Sequence, residues 1–209
     1  MIVYAQLLIG RIIRGIFTLT QNRNLQYNKN ERRALRPTLK GIKNMPKVAI
    51  LMGSKSDLEI VQPCADALKK FGIESVLRVI SAHRTPDAAH EFASNAIKNG
   101  FEVIVAAAGK AAHLGGVLAA YTTLPVIGLP VKSSTMDGLD SLLSMVQMPN
   151  GIPVATVAIN GGENAGILAA QILGLKYKDI AQKLVKHKAD MAAKIEADDK
   201  VIQELNYRF

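Results

Sequence analysis

Cysteine occurs once in the 209 residues, at position 64. A disulfide within the chain is therefore excluded, and a reducing compartment such as the cytoplasm is the natural setting. No grouping of His, Cys, Asp and Glu has metal-ligand spacing, and the dinucleotide fingerprint G-x-G-x-x-G is missing, so the residues imply neither a metal nor a dinucleotide cofactor. Long clean apolar runs are missing as well. Ile2 to Leu19 is interrupted by Arg11 and Arg14, which leaves it short of the roughly 20 residues a membrane span needs. It also lacks the small-residue cleavage site of a secretory signal. Acidic residues are almost absent from positions 1–45, where nine Lys/Arg face the single acid Glu31. No internal repeat or low-complexity tract competes with a globular reading.

That imbalance explains most of the net charge of +9. Residues 46–209 carry 17 bases and 16 acids and are nearly neutral, so a nucleic-acid-binding reading rests on the leader alone and predicts steeply salt-dependent binding lost with it. The leader, 1–45, has three readings. Met45, just before Pro46-Lys-Val-Ala, is the true start; or the Arg-rich segment is an organelle transit peptide; or it is an amphipathic surface-binding segment. Gln21 to Asn44 is polar and basic, as a disordered linker is.

From Lys47 onward short apolar runs alternate with helical patterns. Strands are expected near 47–52, 74–80, 102–107, 125–129 and 154–159, and helices near 56–71, 86–99, 113–121, 137–147 and 164–174. The alternation predicts an α/β fold with a doubly wound parallel sheet of about five strands and helices on both faces. Ligands bind such sheets outside the carboxyl ends of the strands, where the loops Gly53–Asp57, Ser81–Pro86, Ala108–Gly116, Pro130–Gly138 and Asn160–Glu163 fall. Residues 46–175 thus form the catalytic domain. The last segment, 176–209, holds one long helix to about Leu205, whose seam of Leu184, Met191, Ile195, Ile202 and Leu205 suits packing on a neighbouring subunit. Cys64 falls in a helical pattern among Val61, Ala65 and Leu68 and reads as a small buried hydrophobe.

Three loops carry chemistry. Val48-Ala-Ile-Leu-Met-Gly-Ser-Lys-Ser-Asp57 reads as a buried strand, a glycine turn and a helix start with Ser56 or Asp57 as N-cap. Free N–H groups at that helix end would favour an anion at Ser54 and Ser56. Ser81-Ala-His-Arg-Thr-Pro86 places His83 and Arg84 in a loop, because Pro86 opens the next helix. Arg84 can grip a phosphate bidentately, and a histidine beside it is suited to proton transfer near neutral pH. The third strand ends in Ala106-Ala-Ala-Gly-Lys-Ala-Ala-His-Leu-Gly-Gly116, small residues that let a ligand approach the backbone; His113 either lines that pocket or begins the helix. His90 and His187 fall inside helices and read as structural.

Together these motifs, with Pro125-Val-Ile-Gly128 and Asp140-Ser-Leu-Leu-Ser-Met-Val-Gln-Met-Pro149, resemble the N5-carboxyaminoimidazole ribonucleotide mutases of purine biosynthesis over about residues 47–185. Ala111-Ala-His-Leu114 resembles the bacterial mutase branch. The alternatives are the branch that carboxylates aminoimidazole ribonucleotide directly with CO2 and a non-catalytic, flavodoxin-like nucleotide-binding module. The resemblance implies a three-layer α/β/α sandwich and a homo-octamer whose sites are completed by neighbouring subunits. It also implies a cofactor-free isomerisation, with an ATP-dependent N5-carboxyaminoimidazole ribonucleotide synthetase as functional partner. It assigns His83 to catalysis, and Ser54, Ser56, Asp57, Ser81, Ala82, Arg84, Gly109, Ala111, Ala112, His113 and Leu114 to substrate binding, with Asp57 on ribose hydroxyls. Lys110 and Gly115 depart from the family's usual Gly and Pro, and the 160–166 loop is shorter and lacks a lysine often found there.

Overall fold

The computed structural model describes residues 45–134 and 136–205; the expectations for the leader lie outside the described residues. Five parallel strands are present, in the order β2-β1-β3-β4-β5. They are β1 (Lys47–Met52), β2 (Glu74–Val79), β3 (Val103–Gly109), β4 (Val126–Val131) and β5 (Ala155–Thr156). The crossovers are α1 (Leu58–Phe71), α2 (Pro86–Asn95), α3 (Leu114–Tyr121), α4 (Leu139–Val146) and α5 (Gly162–Gly174), followed by α6 (Lys178–Glu204). Short 3₁₀ turns at Lys55–Asp57 and Met136–Gly138 lead into α1 and α4.

The near-continuous apolar runs of β1, β3 and β4 are buried on both sides, as the centre of a parallel sheet requires. Alternate residues divide two cores. Val48, Ile50, Val103, Val105, Ile127 and Leu129 pack with α1 and α5 on one face, and Ala49, Leu51, Ile104 and Ala106 pack with α2, α3 and Met145 of α4 on the other. The architecture is thus the expected flavodoxin-like α/β/α sandwich. Strand order reverses between β1 and β3, so the loops after these two strands diverge and leave a crevice at their carboxyl ends.

Helix α5 lies against α1 through glycines. A methyl group at Gly162 would overlap the Ile60 carbonyl oxygen, and one at Gly166 would sit 2.6 Å from the Cys64 carbonyl oxygen and 2.9 Å from Ala67 Cβ. Cys64 is fully buried in this contact, and burial pushes its thiol up to about 12. It is an inert packing residue.

Two elements differ from expectation, β5 and α2, while β2 falls where expected. Strand β5 has two residues rather than six. Val157 N–H and Asn160 N–H still reach Gly128 and Pro130 carbonyls, but Pro130 has no N–H to extend the ladder. Strand β2 is an edge strand with Glu74, Arg78 and Val79 exposed. Helix α2 stops at Asn95 because the chain tightens into turns closed by Gly100 at φ 81°.

Helix α6 begins at Lys178 and its 27 residues span about 40 Å. Only its first turns join the body. Ile180 is buried and Leu184 half-buried, Lys183 Nζ donates to the Phe71 carbonyl at 2.8 Å, and His187 meets the Phe71 ring edge-on. Beyond that the seam is open, with Met191, Ile195, Ile202 and Leu205 each about half or more exposed. At the amino-terminal end of the sheet, Glu102 accepts from Tyr177 Oη at 2.6 Å and from Lys176 Nζ at 2.7 Å.

Candidate active site

A cavity of about 620 Å³ opens at the carboxyl ends of β1, β3 and β4, within the size range of small-ligand sites. Three loops expected to carry chemistry form it. Of the twelve residues singled out in the sequence, Ser54, Ser56, Asp57, Ser81, Ala82, His83, Arg84, Gly109, Ala111, His113 and Leu114 line it. Ala112 does not, being fully buried behind the loop. Gly53, Ala108, Lys110, Val131, Lys132 and Ser133 complete the wall.

Asp57, one of the two positions the sequence offered, is the N-cap residue of α1, but the capping bonds belong to the 3₁₀ turn before it. Neither Ser56 nor Asp57 caps the helix with its side chain onto a following N–H. Ser54 Oγ accepts from Ser56 N–H, and the Asp57 carboxylate reaches back to Ser54 N–H at 3.1 Å. This is a capping box, already present in the spacing Ser54-x-x-Asp57. The N–H groups of Ser54, Ser56 and Asp57 are therefore engaged, and of these three residues it is the serine hydroxyls that can turn to an anion. Ser56 Oγ lies 2.9 Å from Ser54 Oγ and 3.2 Å from Asp57 Oδ1. Asp57 is buried, and that burial raises its carboxyl above the usual range, against the opposing pull of its bonds from Ser56 and Ser54 and of the Arg84 charge.

The second loop is stiffened from within. Ser81 Oγ accepts from Arg84 N–H at 3.2 Å and from Arg84 Nε at 3.3 Å, and Thr85 Oγ1 bridges to the Ser81 backbone. Arg84 Nη2 then donates to the Gly53 carbonyl at 2.8 Å. The guanidinium is held against the Gly53 end of the serine turn, and it lines the same cavity as Ser54 and Ser56.

His83 Nε2 lies 2.9 Å from His113 Nδ1, with the rings edge-to-face. One nitrogen donates and the other accepts, so each ring sets the tautomer of its partner. His113 does both things the sequence allowed: it occupies the position before α3 and lines the cavity. His90 stacks on Tyr121 away from the site. Three cations and one acid line the cavity. Lys132 pairs with Asp137 at 3.1 Å, and its N–H donates to Asn160 Oδ1 at 2.8 Å. Lys110 holds a left-handed backbone at φ 58°, which costs a residue with a Cβ about 1–2 kcal/mol. Among the described residues no group of three or more His, Cys, Asp or Glu is placed to hold a metal.

The family model "AIR carboxylase" matches residues 47–194. N5-carboxyaminoimidazole ribonucleotide mutase of Thermotoga maritima is 53% identical over 164 residues, 78% of this chain and 96% of that protein. Its namesakes from Pyrococcus abyssi and Methanocaldococcus jannaschii are 55% and 51% identical, over 78% and 76% of this chain and 94% and 98% of theirs. The crystal structure of Treponema denticola PurE superposes with a TM-score of 0.69 at 33% identity, covering 74% of this chain and 97% of that one.

Proposed function

The chain belongs to the AIR carboxylase family, and from that premise we infer that it is an N5-carboxyaminoimidazole ribonucleotide mutase. It is an isomerase of de novo purine biosynthesis that moves a carboxyl group from N5 to C4 of an aminoimidazole ribonucleotide. The observation that carries the site assignment is His83, held at 2.9 Å from His113 in the cavity that Ser54 and Ser56 also line, with Arg84 bound to the Gly53 carbonyl at the start of their turn. His83 and Arg84 line the same cavity, which supports His83 as the proton-transfer group and the Arg84 turn as the anion-binding corner.

In the proposed mechanism the 5′-phosphate rests on the Ser54 and Ser56 hydroxyls and the Arg84 guanidinium. Asp57, with lone pairs beyond its capping bonds, accepts from the ribose. His83 donates a proton to N5 of the carbamate, and the C–N bond breaks with its electron pair returning to nitrogen. This releases CO2 and leaves the electron-rich aminoimidazole. C4 then attacks the CO2 carbon, and His83 takes back the proton that C4 loses, so the cycle closes with nothing consumed. The small residues Ala108, Gly109 and Ala111 keep CO2 near C4, replacing a bimolecular encounter with a positioned one. His113 holds the His83 ring in its tautomer between these two transfers.

The working assembly in this reading is a homo-octamer in the cytoplasm, supplied by the ATP-dependent synthetase that makes the N5-carbamate. The exposed apolar length of α6 supports the assembly. The deciding experiment offers the purified protein either N5-carboxyaminoimidazole ribonucleotide or aminoimidazole ribonucleotide with bicarbonate. Rapid formation of the C4-carboxylated product from the first at low enzyme, and only slow formation from the second, is expected; the reverse order would assign it to the direct carboxylases.

A further inference from the structure

Among the described residues, four other than glycine have a left-handed backbone: Lys110, Met136, Asp137 and Asn160. Asparagine tolerates that conformation, and the Asn160 side chain is used there, accepting from Lys132 N–H. Met136 and Asp137 belong to the turn that starts α4, and Asp137 pairs with Lys132. Lys110 has no such local reason. Lysine gains nothing from a left-handed backbone that glycine would adopt freely, and among the described residues its ammonium makes no hydrogen bond or ion pair. Yet it lines the cavity.

The other two cations lining the cavity are engaged, Arg84 with the Gly53 carbonyl and Ser81 and Lys132 with Asp137. The reaction, taken as the mutase reading has it, handles two kinds of anion. All three ribonucleotides carry the phosphate, but only the substrate and the product carry a carboxylate; the intermediate between them does not. Lys110 stands at the end of β3, next to the Ala111–His113 turn whose His113 contacts His83. Lys110 therefore belongs to the His113 side of the cavity rather than to the Gly53–Asp57 turn.

We propose that Lys110 is a specificity-determining residue that recognises the carboxylate of the ribonucleotide at both ends of its transfer. Lysine is well suited to such a moving partner, because a point charge on a flexible stem can follow a carboxylate from N5 to C4, where a rigid fork is built for one geometry. Because it contacts substrate and product alike and has no charge to meet in neutral CO2, it contributes to binding more than to the chemical step.

The test measures KM for N5-carboxyaminoimidazole ribonucleotide, and inhibition constants for the C4-carboxylated product and for aminoimidazole ribonucleotide, in wild type, Lys110→Gln, Lys110→Gly and Lys110→Arg. Expected is a loss of about tenfold for both carboxylated ligands in the Gln and Gly variants, the scale of one charge-assisted hydrogen bond. Aminoimidazole ribonucleotide should stay within about twofold, kcat should change little, and the Arg variant should remain close to wild type. Lys110→Gly removes the backbone strain, so its loss of affinity cannot be ascribed to misfolding if it melts at or above the wild-type temperature. Equal losses for all three ligands would overturn the proposal in favour of phosphate contact, and unchanged constants would overturn it outright. A wild-type protein that fails to interconvert the two carboxylated ribonucleotides refutes the mutase reading itself and this inference with it.

Discussion

His83 and Arg84 are neighbours for which we propose opposite roles, and their variants should separate. His83→Asn keeps one hydrogen bond and should lower kcat by ~10²-fold or more, with little change in KM, as expected for loss of general acid–base catalysis. Arg84→Ala removes the proposed phosphate contact, one that would be made equally in ground and transition states, and should raise KM strongly at nearly constant kcat. Steady-state kinetics checks both, and an Asn variant with near wild-type kcat would move the proton transfer to His113. The residue types that carry this chemistry could be read from the chain because each follows a strand and precedes a helix start. What stayed hidden was which polar atoms were already engaged. Ser54 and Asp57 were found as candidates, but the reciprocal cap that occupies their N–H groups depends on the turn the backbone takes. Lys132 and Ser133 were missed although their loop, Pro130–Gly138, was located, since nothing in Val-Lys-Ser-Ser marks a cavity wall before the sheet order brings β4 beside β3.

Among the elements, the α1–α5 contact offers a clear contest of effects. In an isolated helix Gly166→Ala would gain about 1 kcal/mol of propensity, but here the new methyl meets backbone oxygen at 2.6 Å, and overpacking of this kind costs about 1–3 kcal/mol. The clash should win, so denaturant unfolding should show a net loss of stability with the fold retained. The Glu102–Tyr177 bond gives a pH signature. Its hydrogen bond to Glu102 is the main cause raising the Tyr177 hydroxyl above its usual value, and burial adds to this; Lys176 is likewise raised, first by its bond to Glu102. A group raised on folding stabilises the fold fully below its unfolded pKa, about 10 for tyrosine, and that share is lost as pH rises through the folded value. Wild type should therefore lose stability relative to Tyr177→Phe above about pH 10, as denaturation midpoints from about pH 8 upward would record. Strand and helix positions followed directly from hydrophobic period. The exceptions, a two-residue β5 and a shortened α2, arise from a missing N–H in a neighbouring strand and from a left-handed glycine turn, neither of which periodicity registers.

At the scale of the molecule, the doubly wound sandwich could be read from strand–helix alternation, whereas the reach of α6 could not be closed from one chain. Its seam from Met191 to Leu205 was foreseen, and in this chain nothing among the described residues covers it. Light scattering of the purified protein should report a large homo-oligomer, and removing residues beyond Leu184 should leave a folded body that no longer assembles. A monomer with normal activity would refute this. If other copies cover those side chains, each chain's stability contains an association term, and association obeys mass action. The melting temperature should then rise with protein concentration. Dilution alone, with no change of solvent or heat, would act on this protein as a denaturant.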